Sequence, residues 1–103
     1  MLDPRVTRIA ELLCTHSTQL SSRDAVLVHA FDIPDEVTAE VVRQAQKTGA
    51  RVVVRTESAR TRRQMMHGMS EANASLIANI EKYEMNQMTA YISLRGTDRK
   101  SVV

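Results

Sequence analysis

Four residues of this chain combine useful chemistry with a place at the ends of short apolar runs: His29, Asp32, Arg55 and Arg95. His29 and Asp32 lie where Ala25-Val-Leu-Val-His-Ala30 gives way to Phe31-Asp-Ile-Pro34, and they are the types that a general base and its orienting carboxylate require. Arg55 and Arg95 each close a later apolar run, and a guanidinium fork suits a carboxylate or phosphate. These four are the candidate contacts to an anion or the wall of a cavity. Plainer roles compete: a hydrogen-bonded His29 inside a strand, and ion pairs of Arg55 with Glu57 and of Arg95 with Asp98.

The other reactive types are dispersed. His16, His29 and His67 fall in different segments, without HExxH spacing or acidic neighbours in a ligand pattern, so no metal-hydrolase set is read from this chain. Cys14 is the single cysteine; it has no disulfide partner and no nearby group to lower its pKa, which fits a small core residue and a reducing compartment. Of the 6 methionines, all but the first lie between positions 65 and 88 at helical spacing, and they are expected to fill the core. The turn after the first apolar run contains no glycine, against a dinucleotide site. Gly49, Gly68 and Gly96 are isolated, and Lys47 precedes its glycine, against a Walker loop.

Composition narrows the classes further. Lys and Arg total 14 against 12 Asp and Glu, a net charge of +2, and aromatics make up only 3%. Neither a strong basic field nor stacking platforms for nucleic acid are present. The arginines of Arg55-Thr-Glu-Ser-Ala-Arg-Thr-Arg-Arg63 are read first as a solvated helix start or an inter-domain salt-bridge face, with a carboxylate or phosphate contact, and then a nucleic-acid contact, as the alternatives. No run approaches the roughly 20 apolar residues of a membrane span, and no signal-peptide pattern opens the chain, so the expectation is cytoplasmic, without membrane or nucleic-acid partners.

The elements that must hold these residues are legible from spacing. Asp3 and Pro4 mark a helix start, and Val6, Ile9, Leu12, Leu13 and Leu20 predict an amphipathic helix from about Pro4 to Thr18. Ala25–Ala30 reads as a doubly covered parallel strand. A helix then turns Val37, Val41, Val42 and Ala45 inward and is capped by Gly49, and Arg51-Val-Val-Val-Arg55 is the next strand. Ser58 or Thr61 starts a helix that breaks near Gly68 and Ser70. Another runs from about Ala74 to Met85 with Leu76, Ile77, Ile80 and Tyr83 on one side, and Thr89–Leu94 is the third strand, followed by a turn at Arg95-Gly-Thr-Asp98. The fold class is therefore α/β: a small three-layer (αβα) domain with a mainly parallel three-stranded sheet. Such a sheet has two free edges and few covering helices, so it is expected to lean on a second domain or a partner.

The blocks Leu2-Asp-Pro-Arg-Val, Ala10-Glu-Leu-Leu13, Val37-Thr-Ala-Glu-Val-Val-Arg-Gln-Ala45, Thr48-Gly-Ala-Arg-Val-Val-Val-Arg55, Glu84-Met-Asn-Gln-Met-Thr-Ala-Tyr-Ile92 and Arg95-Gly96 occur in a telling order. In order and separation they resemble the N-terminal domain of the thermophilic-type metalloaminopeptidases (AmpS/PepS-like). The chain differs from the family pattern at Ser21-Ser-Arg-Asp24, where a Pro-Gly-Glu phrase is usual. It also carries Thr89 where an acidic residue is usual, and Thr97–Val103 in place of an Asn-rich continuation.

The resemblance implies a two-domain enzyme that removes N-terminal residues from peptides. Residues 1–96 are its α/β N-terminal domain, and 97–103 a truncated continuation toward a missing C-terminal catalytic domain. Two divalent ions (cobalt, zinc or magnesium) in that second domain would polarise the scissile carbonyl and activate a bridging water. No catalytic or metal-binding residue is carried over to this chain, which holds no cofactor of its own and is expected to be inactive alone. The N-terminal domain would wall the internal cavity, in a homodimer. The alternative is a small α/β regulatory or anion-binding module.

Overall fold

The computed structural model describes residues 2–96. In chain order these form α1 (Pro4–Leu12), a π-helical segment (Leu13–Ser17), β1 (Ala25–Phe31), α2 (Asp35–Lys47), β2 (Arg51–Glu57), α3 (Ala59–His67), α4 (Glu71–Asn86) and β3 (Ala90–Arg95). The expected pairing of Arg95 with Asp98, the rest of the turn beyond Gly96 and the continuation at 97–103 lie outside the described residues.

The three strands form one parallel sheet in the order β2-β1-β3, flanked by helices, as the sequence leads one to expect. β1 is central and all its residues are buried, which accounts for its unbroken apolar character. After β1 the chain crosses to one side to make β2, then returns over β1 to make β3. That reversal of direction leaves a crevice at the carboxyl ends of β1 and β3, where open α/β sheets gather ligands. Gly96 ties the end of β3 to the end of β1 by donating its N–H to the Phe31 carbonyl at 2.8 Å. A Cβ at Gly96 would lie 2.1 Å from the Asp32 carbonyl oxygen, so no side chain fits there.

One sheet face carries the core. Val26, Val28 and Ile92 pack with Ala10, Cys14, Leu20, Val41, Ala45 and Ala50 from the α1, α2 and linker side. Val26 and Val28 are fully buried, each worth roughly 1.5–3 kcal/mol by removal from water. Gly49, at φ +89, ends α2 in the left-handed conformation that its capping role requires. Thr89 ties the start of β3 to the turn before β1: its hydroxyl donates to the Asp24 carboxylate at 2.8 Å and accepts from the Ala25 N–H at 3.0 Å.

Three expectations are corrected. The first helix is regular only to Leu12; from Leu13 it widens into a π-helical turn, where the Leu13 carbonyl accepts from both the Thr18 N–H at 3.0 Å and the Thr18 hydroxyl at 2.6 Å. Its buried face is made by the small residues Ala10 and Cys14, which allow close approach to α2, while Ile9 and Leu12 point outward. α4 starts earlier than its apolar spacing suggests, because Ser70 caps it by accepting from the Asn73 N–H at 3.1 Å. Finally, the methionines do not fill the core. Met65, Met66 and Met85 are all exposed, because α3 and α4 stand off the sheet instead of packing into it.

Candidate functional site

Strand alternation puts Leu27, His29 and Phe31 of β1 on the face opposite the core, beside Val53, Arg55 and Glu57 of β2 and Tyr91, Ser93 and Arg95 of β3. α3 and α4 roof this face at a distance. Between roof and sheet lies a cavity of about 860 Å³, floored by His29, Phe31 and Tyr91 and walled by Arg55, Arg62, Arg63, Arg95, Glu81 and Glu84. Leu27, Met66 and Met85 give it apolar surface. Its size lies within the usual range of small-molecule sites, roughly 300–1,000 Å³.

His29 is the polar centre of the floor and is only 8% exposed. Its Nε2 meets the Glu57 carboxylate, and its Nδ1 lies 2.8 Å from the Tyr91 hydroxyl. An ionised carboxylate only accepts, so Nε2 carries a proton; in the neutral ring Nδ1 then accepts from the Tyr91 O–H. Tyr91 is half exposed and lines the cavity.

Glu57 is held from its other side by Arg62, whose Nη1 donates to it at 2.9 Å. Burial pushes the Glu57 carboxyl up, but the hydrogen bonds from His29 and Arg62 and the Arg62 charge outweigh it, leaving the group below its ordinary value. The same carboxylate raises the Arg62 guanidinium. Arg62 is aimed by α3, whose start is fixed twice: Ser58 accepts from the Thr61 N–H, and the Asp32 carboxylate accepts from the Ala59 N–H, each at 3.3 Å. Asp32 itself sits at φ +54, a left-handed conformation that aspartate tolerates better than most residues.

The four candidates thus take different places. His29, Arg55 and Arg95 all line one cavity. Asp32 does not orient His29; it caps α3, and Glu57 is the orienting carboxylate. The expected Arg55–Glu57 pair does not form either. Arg55 donates to Glu84 of α4 at 2.8 Å, a strut from sheet to roof, which frees Glu57 for His29. His29 does have the hydrogen-bonded role inside a strand that the sequence suggests. The sequence reading offers Glu57 only as a partner for Arg55, and Arg62 and Arg63 only within the arginine cluster, and it misses Tyr91 and Glu84 as site residues, although the two-residue period of the strands already puts Glu57 on the face of Arg55 and Tyr91 on the face of Arg95.

Arg95 lies 4.6 Å from the centre of the Phe31 ring, a cation–π contact that holds it over the cavity floor. Neither Arg95 nor Arg63 makes an ion pair among the described residues. Among those residues no group of three or more His, Cys, Asp or Glu is placed to hold a metal ion, and His29 with Glu57 supplies only two donors. The two divalent ions implied by the resemblance therefore have no fitting site here. No helix among the described residues is long and apolar enough to cross a membrane.

Comparison with protein families finds no family model that matches the chain, and comparison with curated proteins finds no matching relative.

Proposed function

We propose that this chain is the non-catalytic N-terminal domain of a metal-dependent aminopeptidase, acting in the cytoplasm as a homodimer. A separate C-terminal domain would supply the two divalent ions and the hydrolysis of N-terminal residues from peptides. The observation that carries the reading is the half-covered sheet. One face is a dry core, while the other is a polar, arginine-walled concavity of about 860 Å³ whose roof helices stand off it. A domain whose task is to wall a substrate cavity needs such a face. The order of sequence blocks from Leu2-Asp-Pro-Arg to Arg95-Gly96 supports the same reading.

Two further features fit a domain that packs against another. Among the described residues both outer strands pair on one side only, and α4 shows Leu76, Ile80 and Tyr83 to solvent at 58%, 53% and 70% exposure. The test is the mass of the natural product, by sequencing the coding region beyond Val103 and weighing the intact protein. A two-domain product with a downstream cluster of Glu, His, Asp and Tyr, and peptide turnover that depends on cobalt, zinc or magnesium, is the expected result. A natural product ending at Val103, or peptide turnover by this chain alone that survives repurification, would overturn it.

A further inference from the structure

We infer that the cavity between the sheet and the α3–α4 roof is a binding site for a small carboxylate with an apolar body and an amide N–H. An N-acylated amino acid or the C-terminal residue of a short peptide has this chemistry. The charge distribution selects the anion. Two of the four arginines in the wall are matched within the protein, Arg55 by Glu84 at 2.8 Å and Arg62 by Glu57 at 2.9 Å. Arg63 and Arg95 are the two without a carboxylate partner among the described residues, and both line the cavity. Arg95 is already held in place by its contact with Phe31, so little freedom is lost when its fork receives a carboxylate.

The glutamates set the number of charges. Glu81 and Glu84 line the same cavity, and with Glu57 they offset three of its four arginine charges, leaving one positive charge that a monoanion neutralises and a dianion exceeds. A carboxylate therefore fits better than a phosphate. The apolar surface of Leu27, Phe31 and Met85 provides room for a hydrophobic side chain. Tyr91, which lines the cavity, supplies the remaining specificity: its phenol oxygen is hydrogen-bonded to His29 Nδ1 and retains acceptor capacity for an amide N–H.

This inference does not depend on the aminopeptidase reading, because binding is read on the chain alone, without any peptidase activity. Calorimetric titration with N-acetylphenylalanine and with a blocked tripeptide acid ending in phenylalanine separates the two sources. Saturable binding of either supports the site, and the tighter of the two names the source. N-acetylphenylalaninamide, which lacks the charge, is expected to bind at least about tenfold more weakly. Arg95→Gln and Arg63→Gln, both at exposed side chains, are each expected to weaken the acid by about tenfold, and Tyr91→Phe by roughly 3–10-fold, with circular dichroism unchanged. The site is refuted if neither acid binds saturably, if the amide binds as well as the acid, if inorganic phosphate competes as effectively, or if both arginine variants bind like the parent.

Discussion

His29 and Glu57 meet diagonally across the β1–β2 pair: the Cα partner of His29 is Arg55, yet its imidazole reaches the carboxylate two residues further along β2. The diagonal is imposed by what lies on either side. Arg55 is drawn up to Glu84 in the roof, and Glu57 is drawn back over the floor by Arg62. The result is a continuous polar chain, Arg62–Glu57–His29–Tyr91, laid across all three strands. Buried networks of this kind stabilise only when every member is satisfied.

Glu57→Gln tests that network through pH. The folded carboxyl titrates below the ordinary glutamate value of 4.5, so its contribution is whole above that pH and is lost as pH falls through the lower folded value. The parent should therefore lose unfolding free energy on acidification below 4.5, as chemical denaturation at a series of pH values would record. Glu57→Gln should be less stable than the parent by about 1–3 kcal/mol at neutral pH and should converge on it in acid. Parallel curves would mean that Glu57 has no part in the acid limb.

Glu40 offers a counterpart on α2. Hydrogen bonds from Arg43 at 2.7 Å and Gln44 at 2.8 Å hold its carboxyl down to about 2. The sign is the same as for Glu57: the interaction is present above 4.5 and disappears as pH falls toward about 2. NMR titration of the Glu40 carboxyl should find its midpoint well below the ordinary glutamate value of 4.5, and Arg43→Ala should raise it. A midpoint unchanged in Arg43→Ala would remove the guanidinium as the cause.

The roof is tied to the sheet chiefly by side chains, which makes the Arg55–Glu84 strut measurable. Arg55→Ala and Glu84→Ala should each cost little in global stability, with a coupling of about 0.5–1 kcal/mol in a double-mutant cycle. Their larger effect should fall on α4, whose amides should exchange with solvent faster while those of β1 keep their protection. Equal acceleration in β1 and α4 would show that roof and sheet open as one unit.

The sheet was legible because β1 is buried throughout and β2 and β3 are short apolar runs between clear breaks, with Gly49 and Ser58 punctuating the chain where the backbone needs them. The positions of His29, Arg55 and Arg95 near strand ends were legible in the sequence, and the register of the parallel sheet puts them on one face. Their partners did not. The nearest acid in sequence to Arg55 is Glu57, but a parallel sheet places Glu57 beside His29, and only the standing-off of α4 brings Glu84 within reach of Arg55. The methionines misled for the same reason, since helical spacing reports a face without saying whether that face meets the sheet. In α1 and the π-helical turn that follows it, the small residues Ala10 and Cys14 took the buried face from the larger Ile9 and Leu12, a choice made by the closeness of α2 and invisible to hydrophobicity alone.

Cys14 supplies a last prediction, because its thiol is fully buried and its one polar contact among the described residues is with Val41. Its Sγ lies 3.7 Å from the Val41 carbonyl, and burial pushes the thiol above its ordinary pKa of 9.0. Little thiolate exists near neutral pH, and a reagent must wait for the α1–α2 packing to open. Labelling by a disulfide reagent should therefore be slow in the native chain and should accelerate with denaturant in step with unfolding. Cys14→Ala leaves a small void and should cost about 1 kcal/mol. Cys14→Ser should cost more, about 1–3 kcal/mol, because a shorter C–O bond carries the hydroxyl further from Val41 and leaves it buried without a partner. Fast native labelling, or a serine variant as stable as the alanine one, would place Cys14 outside the core.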